Sequence, residues 1–115
     1  TVYKGTIWSI FDHFLNNINF SKLPQVWQRL SSDDQKIFEE VLVREVGEKH
    51  PLYEKECSAL ARRIDRDEFL FFINQNEGLL VVVELSFSLP PHHSEFSPAY
   101  TFYKSFDDFI RNESE

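Results

Sequence analysis

The sequence predicts an α+β domain in which N-terminal helices pack on one face of a three- to four-stranded antiparallel sheet, with a short C-terminal helix. Three observations carry this. Apolar residues over 6–18 recur at spacings of three and four, the period of a helix with one buried stripe. The run 59–87, ALARRIDRDEFLFFINQNEGLLVVVELSF, sets apolar segments between charged or Asn/Gly-containing turns, as an antiparallel meander does. The stretch SFDDFIRNE returns to helical spacing behind a serine that can cap a helix.

Taken in order, the first helix rests on Ile7, Trp8, Ile10, Phe11, Phe14, Leu15 and Ile18, with Asn16, Asn17 and Asn19 favouring a stop because their side chains compete with helical hydrogen bonds. Residues 23–30 read as a short helix or single turn, with Pro24 at a first helical position and Val26, Trp27 and Leu30 available for packing. A clearer helix begins at Ser31 and Ser32. Ser32 and Gln35 have capping-box spacing, and Asp33 and Asp34 sit at the positive end of the helix dipole. Its core stripe is Ile37, Phe38, Val41, Leu42 and Val46, with Glu39, Glu40, Arg44 and Glu48 facing out. Gly47 stands near the helix end and Pro51 bars continuation.

Residues 58–64 form the first predicted strand, turning at Asp65, Arg66 and Asp67. Residues 69–73 are apolar throughout, which makes this the central strand, covered on both faces. A turn over 74–78, with Gly78 free to take positive φ, leads to a strand over 79–87. Glu84 and Ser86 mark one face opening to solvent. The 88–98 stretch, with Pro90, Pro91, Pro98, His92 and His93, is a loop. Residues 100–103 are a candidate fourth strand, and Ser105 with Asp108 caps a helix docked through Phe106, Phe109 and Ile110.

At 115 residues, with 42% apolar and 16% aromatic residues including 12 Phe, the chain has material for one globular core spanning 1–115. Nineteen acidic against 12 basic residues give a net charge of −7, which disfavours phosphate backbones and favours capture of a cationic partner. A single cysteine, no apolar run of membrane-spanning length and no signal pattern predict a cytoplasmic protein without direct membrane or nucleic-acid partners. The chain opens at Thr1 without methionine, so a few preceding residues are expected to be missing.

Motifs for chemistry are sparse. His92, His93 and Glu95 lack a third or fourth ligand at recognisable spacing, so the stretch reads as a solvated loop rather than a metal site. Cys57, with His50 seven positions earlier, has nothing to orient the histidine and reads as a small buried hydrophobe. Arg62, Arg63 and Arg66 precede Phe69, Phe71 and Phe72, but Asp65, Asp67 and Glu68 interleave with the arginines. Core phenylalanines beside a charged turn describe this better than a nucleic-acid surface. With only Gly5, Gly47 and Gly78, no glycine-rich phosphate loop is present. No catalytic, cofactor-binding or metal-binding residue is assigned.

The stretch HPLYEKECSALARRIDRDEFLFFINQNEGLLVVVELSFS, followed by the Pro-rich loop and TFYKSFDDFIRNE, resembles immunity proteins of bacterial polymorphic toxin systems, including those of contact-dependent growth inhibition. The shared features are an Ala-Arg-Arg turn before an apolar strand pair and a closing Phe-Tyr-x-Ser-Phe-x-x-Phe helix. This resemblance implies a non-enzymatic cytosolic antitoxin that binds the C-terminal domain of a cognate toxin, often a basic nuclease. No toxin-binding residue follows from it. Physical reasoning places the partner contacts at Asp65, Asp67, Glu68, Glu77 and Glu95, with Phe96 and Tyr100 as anchors. The alternatives are a small ligand-binding or enzymatic domain whose pocket draws on carboxylates and His13, and a non-catalytic adaptor.

Overall fold

A computed structural model describes residues 18–74, 79–88 and 93–113. They form an α+β fold around a five-stranded antiparallel sheet whose order follows the chain. The strands are β1 (Trp27–Arg29), β2 (Cys57–Arg63), β3 (Glu68–Ile73), β4 (Leu80–Glu84) and β5 (Ala99–Tyr103). Helix α1 (Ser32–Glu45) joins β1 to β2, and α2 (Phe106–Glu113) follows β5. The helix expected over 6–18, with His13, lies outside the described residues apart from Ile18, as do Glu77, Gly78 and His92.

The sheet is covered on both faces, because neither of its apolar faces can be left to water. On one face Leu42 of α1 and Val46 at its C-terminal cap pack with Leu30, Leu52, Ala59, Phe69, Phe71, Ile73, Val81 and Val83. On the other, Phe106 and Phe109 of α2 pack with Trp27, Leu60, Ala61, Leu70, Phe72, Leu80 and Val82, joined by Ile18, Phe20 and Leu23. Strand β3 lies between these layers, and its five apolar residues are all buried, as a central strand requires. The two helices therefore occupy opposite faces.

The sheet has one strand more than the sequence suggested, at its start. Pro24 opens a turn closed by Trp27 N–H donating to its carbonyl. The chain then extends, with Trp27, Gln28 and Arg29 opposite Arg63, Arg62 and Ala61. A strand wins over the expected helix because it covers the outer edge of β2 while burying Trp27 edge-on against Phe109, ring centroids 5.1 Å apart.

Strand β2 carries a bulge between Ala59 and Ala61. Leu60 and Ala61 both join the α2-side core, so Ala59 packs toward α1 and Arg62 lies over the Phe38 and Phe69 rings of that side. Here β1 no longer covers the edge, and α1 takes over. Gln35 Nε2 donates to the Ala59 carbonyl (2.8 Å) and Glu39 Oε2 accepts from Ala59 N–H (2.9 Å). Two side chains four residues apart on one helix face thus do the work of a neighbouring strand.

Other corrections concern α1 and the end of β4. The cap is Ser31 rather than Ser32: Ser31 Oγ accepts from Asp34 N–H, which frees Gln35 for Ala59. Ile37 is 53% exposed and leaves the core stripe, whereas Glu39, expected outside, turns inward. Strand β4 stops at Glu84 instead of reaching residue 87, because Glu45, only 2% exposed, draws the chain away. Its carboxylate accepts from Ser86 N–H, Ser86 Oγ and Phe87 N–H at 2.8–3.1 Å. Phe87 adopts φ 55°, a strained value for a bulky residue, and its ring meets Phe69 and Phe38.

Candidate functional site

Strand register decides which of the expected contact residues come together. Glu68 lies opposite Glu84, and Glu84 opposite Ala99. The 64–67 turn and the connection from β4 to β5 therefore sit at one end of the sheet, joined by Leu85 N–H donating to the Asp67 carbonyl (2.9 Å). Asp65, Asp67 and Glu68 share this end with the loop bearing Glu95 and Phe96 and with the start of β5 at Tyr100.

The acidic turn is organised around Arg63. Its guanidinium pairs with Asp65 at 2.7 Å and lies 3.9 Å from Glu68 and 3.7 Å from Glu113 of α2. Arg66 reaches Glu68 at 3.8 Å. The hydrogen bond from Arg63 holds the Asp65 carboxyl below the usual aspartate range. Burial, then the neighbouring Glu113 and Glu84, raise the Glu68 carboxyl in spite of both arginines. Like charges opposite each other in a sheet repel, so Glu68 and Glu84 leave this end under-neutralised. Burial and a 2.7 Å hydrogen bond donated to Glu113 raise the Tyr103 hydroxyl.

The loop beside this turn is anchored to the C-terminal end of α1. His93 Nε2 meets the Arg44 carbonyl (3.0 Å), and its Cβ comes so close to Gly47 that an added methyl there would stand 2.7 Å away. Gly47 follows the helix cap at Val46, as expected of a residue near a helix end, and is also required for close approach. Farther on, His50 is buried and accepts from Leu52 N–H at Nδ1 (3.1 Å). Its Nε2–H then donates to the Pro98 carbonyl (2.8 Å). With both ring nitrogens committed to backbone, His50 is a structural strut rather than a base for Cys57. Tyr100 stacks edge-on against His50 and is half-buried, while Phe96 is 75% exposed. Phe102, which sequence reasoning missed, is exposed next to Tyr100 with ring centroids 5.4 Å apart. Alternation along β5 was the signal that placed both rings on one face.

A cleft of about 370 Å³ opens elsewhere, between α1 and the 52–57 segment. Leu42, Val43 and Val46 form one wall and Leu52 and Tyr53 the other, with Glu39, Glu56 and Cys57 also lining it. Burial, with Glu39 and Glu56 adding to it, pushes the Cys57 thiol up to about 12. It is a protonated, unreactive thiol at neutral pH. Burial likewise raises the Glu39 carboxyl, partly offset by the Ala59 N–H, with Glu56 raising it further.

Among the described residues no group of three or more His, Cys, Asp or Glu side chains is arranged to hold a metal ion, and no helix is long and apolar enough to cross a membrane. No family model matches this chain, and neither the curated proteins nor the solved structures gave a match.

Proposed function

We propose that this chain is an immunity protein that neutralises a cationic toxin domain by stoichiometric binding, through the end of the sheet that joins the 64–67 turn to the 93–100 loop. The observation that carries the reading is that an under-neutralised carboxylate group on the α2 side of the sheet and the exposed Phe96 of the loop docked on the α1 side flank the same end. Glu68 faces Glu84 across the sheet, and Phe96 projects from the adjoining loop. Aromatic anchors supply contact area at low entropic cost, and carboxylates steer a basic partner and suppress wrong ones. The net charge of −7 acts in the same direction over longer range. Binding requires no turnover and no cofactor, and on a basic nuclease surface it competes with the nucleic acid itself.

The test is co-purification from the native host with mass spectrometry of what is retained, followed by co-expression with any toxin domain so recovered. Growth protection together with a one-to-one complex, and loss of both when Phe96→Ala is combined with Glu68→Lys, is the expected result. Full protection by that double variant would remove this end from the interface. Absence of any complex with a folded protein would overturn the immunity reading.

A further inference from the structure

The cleft between α1 and the 52–57 segment combines two properties seldom found together. Its walls are apolar, from Leu42, Val43 and Val46 on one side and the Tyr53 ring on the other, yet carboxylates of Glu39 and Glu56 line it as well. Glu39 is fixed in place, because one of its oxygens accepts from Ala59 N–H. Among the described residues the four ion pairs all involve Arg63 or Arg66 at the end of the sheet, and none involves Glu39, Glu54 or Glu56. Lys55 is the one cation lining the cleft, against these three carboxylates. Burial is the main cause of the raised Glu39 carboxyl and Cys57 thiol, and the neighbouring Glu56 adds to both.

A wholly apolar occupant would strip water from these carboxylates without replacing it, and an anion would be repelled. A small hydrated cation would leave the apolar walls uncovered. The complementary shape is a long apolar stem ending in a delocalised cation that donates several hydrogen bonds and stacks on an aromatic ring. We infer that the cleft receives an arginine side chain projected by the protein partner. This inference rests on the partner-binding reading above and adds a second contact area to it, on the α1 face. Val43, 72% exposed, stands at the rim, where it would cover the arginine stem.

The experiment is an amide chemical-shift titration of the full chain with the peptide acetyl-Gly-Arg-Gly-amide and with its citrulline counterpart, which has the same shape and no charge. The arginine peptide is expected to give saturable shifts confined to residues 39–57, at least tenfold tighter than citrulline. Glu56→Gln should weaken it several-fold, and Val43→Lys, which puts a competing cation at an exposed position, should abolish it with the fold intact. Equal binding of the two peptides, shifts centred on 65–68, or no saturable shift would each overturn the inference. Toxin co-expression separates it from the reading it rests on. Protection lost with Val43→Lys supports the arginine contact, whereas protection unchanged with Val43→Lys overturns it and leaves the immunity reading standing. Arginine-selective shifts without protection by the unaltered chain support the cleft and overturn that reading.

Discussion

Replacing Glu45 by alanine would leave the Ser86 and Phe87 N–H groups without their acceptor and release the chain that Phe87 bends at positive φ. Unmade hydrogen bonds to a buried charged group cost a few kcal/mol, so Glu45→Ala should lower stability by about 3 kcal/mol and Glu45→Gln by roughly half that, because an amide keeps one acceptor. Urea midpoints at unchanged slope check this. Cys57 gives a kinetic counterpart. Its thiol is moved from 9.0 to about 12, so at pH 8 the folded chain should react with iodoacetamide about a thousandfold more slowly than the unfolded chain. Equal rates would mean that the thiol is not held as described. The inert character of Cys57 was legible in the sequence, whereas the role of Glu45 was not. Glu45 sits among the exposed carboxylates of an amphipathic helix, and only the folded path of residues 86 and 87 gives it partners.

Among the elements, β3 and α2 were the most legible, because their apolar patterns allow one burial scheme each. Phe109 is fully buried between Trp27 and Tyr103, and Phe109→Ala should cost about 3–5 kcal/mol as a core truncation, measurable by thermal or urea unfolding. Strand β1 was illegible for the opposite reason: three residues carry too little pattern to separate a strand from a turn, and its reason for existing is the edge of β2, thirty residues away. The same holds for the inward turn of Glu39 and Gln35, which answers a bulge in another element. Gly47 belongs to this class too. Gly47→Ala should force His93 aside, raising hydrogen exchange in the 93–98 loop while sparing the β3 and β4 amides. Uniform loss of protection would show that the loop is not docked as an independent unit.

At the level of the whole molecule, charge governs the pH response and, under the proposed function, association. Glu39 and Glu68 are raised from 4.5, so the folded chain keeps their protons after the unfolded chain has released them. Stability therefore falls as pH rises from about 4.5 through those raised values. Asp65, lowered from 3.8 by Arg63, acts with the opposite sign at lower pH, its contribution vanishing as pH drops through its folded value. Glu68→Gln should flatten the decline above pH 4.5 in urea midpoints taken across pH 4–7. In association, replacing Asp65, Asp67 and Glu68 with lysine should slow capture of a basic partner and flatten its salt dependence in stopped-flow measurements. The acidic residues were visible in the sequence; that they share one end of the sheet with the aromatic loop was not, since it depends on the register of β3, β4 and β5.

The bulge in β2 also determines where this protein's length is negotiable. Because Leu60 and Ala61 both point to the α2 layer, a chain lacking Leu60 would restore simple alternation and keep Cys57, Ala59, Arg62 and Arg63 on their present sides. It would lose one buried leucine and the carbonyl that accepts Leu30 N–H. Omitting Leu70 from β3 has no such escape, since it would turn one half of that strand inside out. Natural relatives that differ by a single missing residue within the sheet should therefore carry the gap at position 60.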